Sequence, residues 1–190
     1  IMQKSEHTIV AFVEDEPGVL NRIVSLLRRR NFNIKSIVAG ATERPGLTRM
    51  TIVTDESNQH RRVNMARNIQ KLVNAYTVED VTDVPAVIRE YMLAKVSVSN
   101  GDRTELDLLT REYGAKIIDS EEGAVIVEAT GYDMEIESFL QKLKAFDIVE
   151  LMRSGKMAMR RGSHLELKAK IEMMSTDQQW TTKQIQSAIS

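Results

Sequence analysis

The chain has 190 residues, 42% apolar and 28% charged, with 26 Lys and Arg against 27 Asp and Glu, a composition that excludes disordered and fibrous classes. A net charge of −1 supplies no broad positive field for nucleic acid or a membrane surface. The absence of Cys excludes disulfides, thiolate metal sites and Cys nucleophiles, and fits a reducing, cytoplasmic setting.

Thr8 to Val13 is apolar and β-rich and runs into Asp15-Glu16-Pro17-Gly18, so it reads as a buried strand ended by a turn. A helix is predicted to start there. Pro17 suits the first helical position, Asp15 or Glu16 can accept from first-turn amides, and Leu20, Ile23, Val24 and Leu27 make an apolar stripe. Arg28, Arg29 and Arg30 complement the helix dipole, and read as a solvated helix end rather than a phosphate clamp. Ile34 to Ala41 and Leu47 to Thr54 are two strands joined by a five-residue hairpin connection, Thr42 to Gly46. Asn58 to Asn74 carries Val63, Ala66, Ile69 and Val73 at helical spacing, and Thr77 to Val84 returns as a strand. The order is βαββαβ.

After Pro85 the order repeats. Leu93 to Ser99 points Ala94, Val96 and Val98 inward; Asp102 with Glu105 has capping-box spacing ahead of Leu106, Leu109 and Tyr113; Gly114 fits a C′ position. Ala115 to Asp119 and Ala124 to Thr130 form a hairpin, Asp133 caps a helix with the stripe Ile136, Phe139, Leu140 and Leu143, and Ile148 to Arg153 is the last strand. The reading is therefore an α+β chain of two ferredoxin-like βαββαβ units, 7–84 and 86–162, each an antiparallel sheet with both helices on one face and the other face uncovered. Residues 163–190 form an unassigned tail, in which Leu167, Ile171 and Met174 fit one helical face.

Chemistry-bearing residues are few. His7, His60 and His164 stand far apart with no carboxylates at ligand spacing, which argues against a metal or His-dependent site. Glu121-Glu122 lies on a predicted turn, and no glycine spacing forms a phosphate cradle. Met157 and Met159 are read as sheet packing ahead of a partner surface. The informative place is the first strand-to-helix junction. First-turn amides accept an anion, and Gly18 would let a ligand approach the backbone. The carboxylate of a small amino acid could sit there, its ammonium facing Asp15 and Asn33. Spacing alone favours the plainer reading, a tight Pro-Gly turn and an Asn33 that caps a loop.

The stretch Val13-Glu14-Asp15-Glu16-Pro17-Gly18-Val19-Leu20 resembles the ligand loop of ACT domains, which are βαββαβ amino-acid sensors. Asn31 to Ile37, Gly46 to Val53, Arg89 to Val96, Gly114 to Asp119 and Arg153-Ser154-Gly155 resemble, in order, the regulatory (small) subunit of acetolactate synthase. That resemblance covers about His7 to Gly162. It implies a non-catalytic subunit, an ACT domain at 7–84 and a second ferredoxin-like domain at 86–162. Such a subunit activates a catalytic large subunit and confers feedback inhibition by valine or other branched-chain amino acids. Thiamine diphosphate, Mg and FAD would belong to that partner, and no cofactor to this chain. The resemblance also implies a homodimer with the effector between protomers, on Asp15, Gly18, Val19, Leu20, Asn33 and Ile34. Many relatives carry Asn where this chain has Asp15. The catalytic partner is expected on the uncovered sheet face and the second unit. Rival readings are a free-standing ACT sensor of another enzyme or transcription factor, and a small hydrolase on the same fold.

Overall fold

A computed structural model describes residues 6–99, 101–121 and 123–162. The tail stripe Leu167, Ile171 and Met174 lies outside the described residues. The elements are β1 His7–Glu14, α1 Val19–Arg29, β2 Ile34–Ala41, β3 Leu47–Thr54, α2 Gln59–Gln70, β4 Ala75–Asp80, β5 Ala86–Ser97, α3 Arg103–Glu112, β6 Lys116–Glu121, β7 Ala124–Gly131, α4 Asp133–Leu143, β8 Asp147–Arg153 and β9 Met157–Arg160. The first sheet has strand order β2-β3-β1-β4. The second runs β6-β7-β5-β8, with β9 also pairing β5. Neighbouring strands in both are antiparallel. The two units thus share one topology, the doubled ferredoxin-like fold. By packing they comprise the described residues up to Ala86 with 159–162, and Val87–Ala158.

In the first unit, Ile9, Ala11 and Val13 of β1 and Met50 and Ile52 of β3 meet Ile23 and Leu27 of α1 and Met65 and Ile69 of α2. Period-2 strands and 3.6-period helices deliver these side chains to one layer. In the second, Met92, Ala94 and Val96 of β5 and Val125 and Val127 of β7 face Leu106 of α3 and Ile136, Phe139, Leu140 and Leu143 of α4.

Several local expectations change. The buried face of α2 is Arg62, Met65 and Ile69, whereas Val63 and Val73 are exposed. Arg62 Nε donates to the Glu56 carbonyl at 2.8 Å, which lets a guanidinium occupy a core-facing position. β4 ends at Asp80 and β5 starts at Ala86, so the predicted fourth strand is shortened and the fifth lengthened. Asp102 makes no side-chain cap; it accepts from Ser99 Oγ at 2.6 Å instead. The N-cap of α4 is Tyr132, not Asp133, and Glu135 Oε2 accepts from its N–H at 2.7 Å.

The sheet face opposite the helices is not bare in the first unit. Thr8, Val10, Thr51, Val53 and Thr77 are all buried there. Arg49 lies along this face, its Nη1 donating to Thr51 Oγ1 at 3.2 Å and its guanidinium 5.7 Å from the Phe12 ring centroid. Burial lowers its pKa, with Glu79 opposing the shift. The corresponding face of the second sheet is more open, with Met152 exposed beside half-buried Leu93.

Candidate functional site

The corner between β1 and α1 is fixed by backbone hydrogen bonds. The Glu14 N–H donates to the Asn74 carbonyl and the Asp15 N–H to the Gly46 carbonyl, both at 2.9 Å, and the Val19 N–H to the Glu16 carbonyl at 3.3 Å. Gly18 is the N-cap at φ 86°, a left-handed conformation that side chains with a Cβ rarely adopt. No side chain caps the helix. Asp15, expected to do so, accepts from Thr48 Oγ1 of β3 at 3.0 Å. Beyond the Val19 N–H, the first-turn amides of α1 receive no side-chain cap and carry the positive end of the helix dipole.

These amides border a cavity of about 340 Å³, lined by Glu14, Asp15 and Glu16, by Val19, Leu20 and Met50, and by Ala39, Gly40, Ala41 and Thr48. That volume lies at the lower end of the roughly 300–1,000 Å³ of small-molecule sites. Asn74 donates to Glu14 Oε2 and accepts from Arg22, so the carboxylate of Glu14, a lining residue, is held through Asn74 to α1. The corner thus brings the first turn of α1 and the carboxylate-bearing residues Glu14, Asp15 and Glu16 to the same cavity, whose other lining includes the small residues Ala39, Gly40 and Ala41 and the apolar Met50. A zwitterion with a short apolar side chain matches that arrangement.

Asp15, Val19 and Leu20 line this cavity, Val19 buried in the core and Leu20 46% exposed. Gly18 shapes the corner without lining it, and a Cβ there would meet nothing within 4 Å. Asn33 and Ile34 stand elsewhere. They line a second cavity of about 450 Å³ with Val24, Arg28, Asn31 and Phe32, at the opposite end of β2. Asn33 Nδ2 donates to Asp55 Oδ2 at 3.1 Å. An eight-residue strand spans about 25 Å, so the two groups do not meet within one chain. The small residues Ala39-Gly40-Ala41, a break in a β-branched run, are the wall that sequence reasoning missed. Among the described residues no group of three or more His, Cys, Asp and Glu could hold a metal ion, and no helix is long and apolar enough to cross a membrane.

Two family models divide the described chain as its sheets do: residues 9–77 match the ACT domain of the acetohydroxyacid synthase small-subunit type, and residues 89–162 match the small subunit of acetolactate synthase. The acetolactate synthase small subunit of Mycobacterium bovis is 35% identical over 161 residues, 85% of this chain and 95% of that protein. The chain belongs to the acetolactate synthase small-subunit family. The crystal structure of the small subunit from Thermotoga maritima superposes with a TM-score of 0.78 at 32% identity, covering 83% of this chain and 98% of that one. A chloroplastic relative, small subunit 2 of Arabidopsis thaliana, is 36% identical over 82% of this chain and 32% of its own greater length. The fold is that of the family, and the β1–α1 corner lies within its ACT segment.

Proposed function

We propose that the chain is the non-catalytic regulatory subunit of acetolactate synthase, raising the activity of the thiamine-diphosphate-dependent catalytic subunit and making it sensitive to valine. The observation that carries this reading is the uncapped first turn of α1 beside a cavity that Glu14, Asp15 and Glu16 also line. Valine's carboxylate sits on the amides of Leu20 and its neighbours, and its ammonium faces Asp15 and Glu14. Burial of its side chain contributes about 1.5–3 kcal/mol, and one methylene separates the branched-chain amino acids by about 1–3 kcal/mol, so leucine and isoleucine also act. Thiamine diphosphate, Mg and FAD reside in the catalytic partner.

A dimer explains how Asn33 and Ile34 join the site. β2 is an edge strand of its sheet, so a second copy can add to it. Antiparallel pairing about a two-fold axis between Ile37 and Val38 sets the partner's Ile34 against Ala41, and the partner's Asn33 then reaches the cavity rim. Effector binding thereby reads the packing of two protomers, and a coupling of about 1–3 kcal/mol to the catalytic subunit is of the usual size for allostery. Calorimetric titration of amino acids into the full chain tests the reading. Saturable valine binding that Asn33→Ala weakens tenfold supports it; no binding of any branched-chain amino acid overturns it.

A further inference from the structure

Residues 19–30 and 59–71, the two helices of the first unit with their C-terminal flanks, contain eight Lys and Arg and no Asp or Glu, whereas the other 165 residues hold 18 basic and 27 acidic side chains. α1 and α2 lie on the same sheet face, tied at one end by Arg61 Nη2 donating to the Asn31 carbonyl at 3.1 Å and at the other by Arg22 donating to Asn74. Three of the eight cations are engaged locally: Arg22 as stated, Arg61 by Glu56, and buried Arg62 by the Glu56 carbonyl and Asp83 at 3.6 Å. Arg28, Arg29, Arg30, Arg67 and Lys71 are exposed and form no ion pair among the described residues.

Dipole complementation accounts for basic residues in a last helical turn. It does not account for the lack of any acid across both helices. Exposed helices intersperse signs and form i,i+4 pairs, as α3 does with Arg103 and Asp107 at 3.4 Å. A one-sign helix layer repels itself until an anionic surface meets it. On the first sheet's opposite face, by contrast, Val10, Thr51 and Val53 of the central strands are buried.

We propose that the exposed α1/α2 surface of the first unit is the docking face for an acidic patch on the catalytic subunit. The inference rests on the regulatory-subunit reading above and names where that partner binds. A protein patch fits better than a nucleic acid. The helices span only about 18 Å, too short a basic stretch for an extended polyanion, whereas a patch of matching size gains attraction within a screening length of about 8 Å.

The test titrates purified catalytic subunit with the full chain and with the variant Arg29→Glu, Arg30→Glu, Arg67→Glu, Lys71→Glu, none of which lines either cavity. The parent is expected to lose about tenfold in affinity between low and 0.3 M salt, and the variant about 100-fold at low salt together with stimulation of activity. Valine binding by the isolated variant stays as in the parent, which reports an intact fold. Should the reversed chain misfold, Arg29→Gln with Arg67→Gln still predicts a loss of about fivefold, and Arg29→Lys with Arg67→Lys no loss beyond about twofold. Unchanged association of the reversed or neutralised chain overturns the docking face alone. So does a variant that loses only affinity for a short DNA duplex, which would make the face a nucleic-acid site. A parent that binds no catalytic subunit overturns the regulatory-subunit reading and this one with it.

Discussion

At Gly18 a single backbone angle bears on both stability and the proposed effector site. With φ at 86° and open space beyond, any added side chain costs about 1–2 kcal/mol through left-handed strain and not through a clash. Gly18→Asp is expected to lower the melting temperature by a few degrees and to abolish the valine-induced thermal shift, because its carboxylate competes for the same amides; Gly18→Ala shares the first effect and retains part of the second. A full valine shift in the Asp variant would move the effector off this corner. A second residue-scale feature is the buried His7, whose Nε2 is 2.9 Å from Asp80 Oδ2. Burial by itself raises the Asp80 pKa, but hydrogen bonds from His7 and Thr82 outweigh it and bring the value to about 2. A carboxyl depressed on folding contributes stability that is complete above its unfolded value near 4 and is lost as pH falls toward 2. Melting curves at pH 5 and pH 3 should therefore converge more in Asp80→Asn than in the parent, and equal acid sensitivity of the two would refute the linkage.

Among the elements, β8, besides its backbone ladder with β5, is tied to β5 and α4 by one guanidinium. Arg153 makes a two-pronged pair with Glu90 of β5, Nε at 2.8 Å and Nη2 at 2.9 Å, and reaches Glu137 of α4 at 3.2 Å. Glu90 is buried, so Arg153→Ala would leave its carboxylate unpaired. A destabilisation of about 2–4 kcal/mol is expected, below the largest values for buried pairs because Arg153 is a third exposed. Arg153→Lys should recover only part of it, since an ammonium lacks the planar fork; denaturant titration reads both. On α2 the predicted stripe was displaced because Arg62 finds a carbonyl and a carboxylate and buries, leaving Val63 outside. Hydrophobic periodicity cannot foresee a satisfied arginine. On α4, by contrast, all four stripe residues are buried, since the helix covers its sheet with aliphatic and aromatic side chains alone.

For the whole molecule, the two cores share no residue. Phe139→Ala, a cavity in the second core, is expected to cost about 3–5 kcal/mol there. Hydrogen exchange should accelerate in 87–158 while valine protection of the β1–α1 corner persists; loss of both together would show the units to be energetically one. The dimer proposal adds a concentration effect: if the site draws on two protomers, the valine-induced shift grows with protein concentration through mass action. Strand and helix order, the repeat at Pro85, the glycine corner and most core positions were legible from residues in a row, because pleat, helical period and left-handed glycine are local properties. Tertiary structure alone decided four things. It turned Asp15 to Thr48 and so left the helix end uncapped, and it placed Asn33 a strand's length from Asp15. It laid Arg49 over the back of the first sheet, and it set two basic helices side by side. Each depends on which distant segments become neighbours, and only the folded chain brings those together.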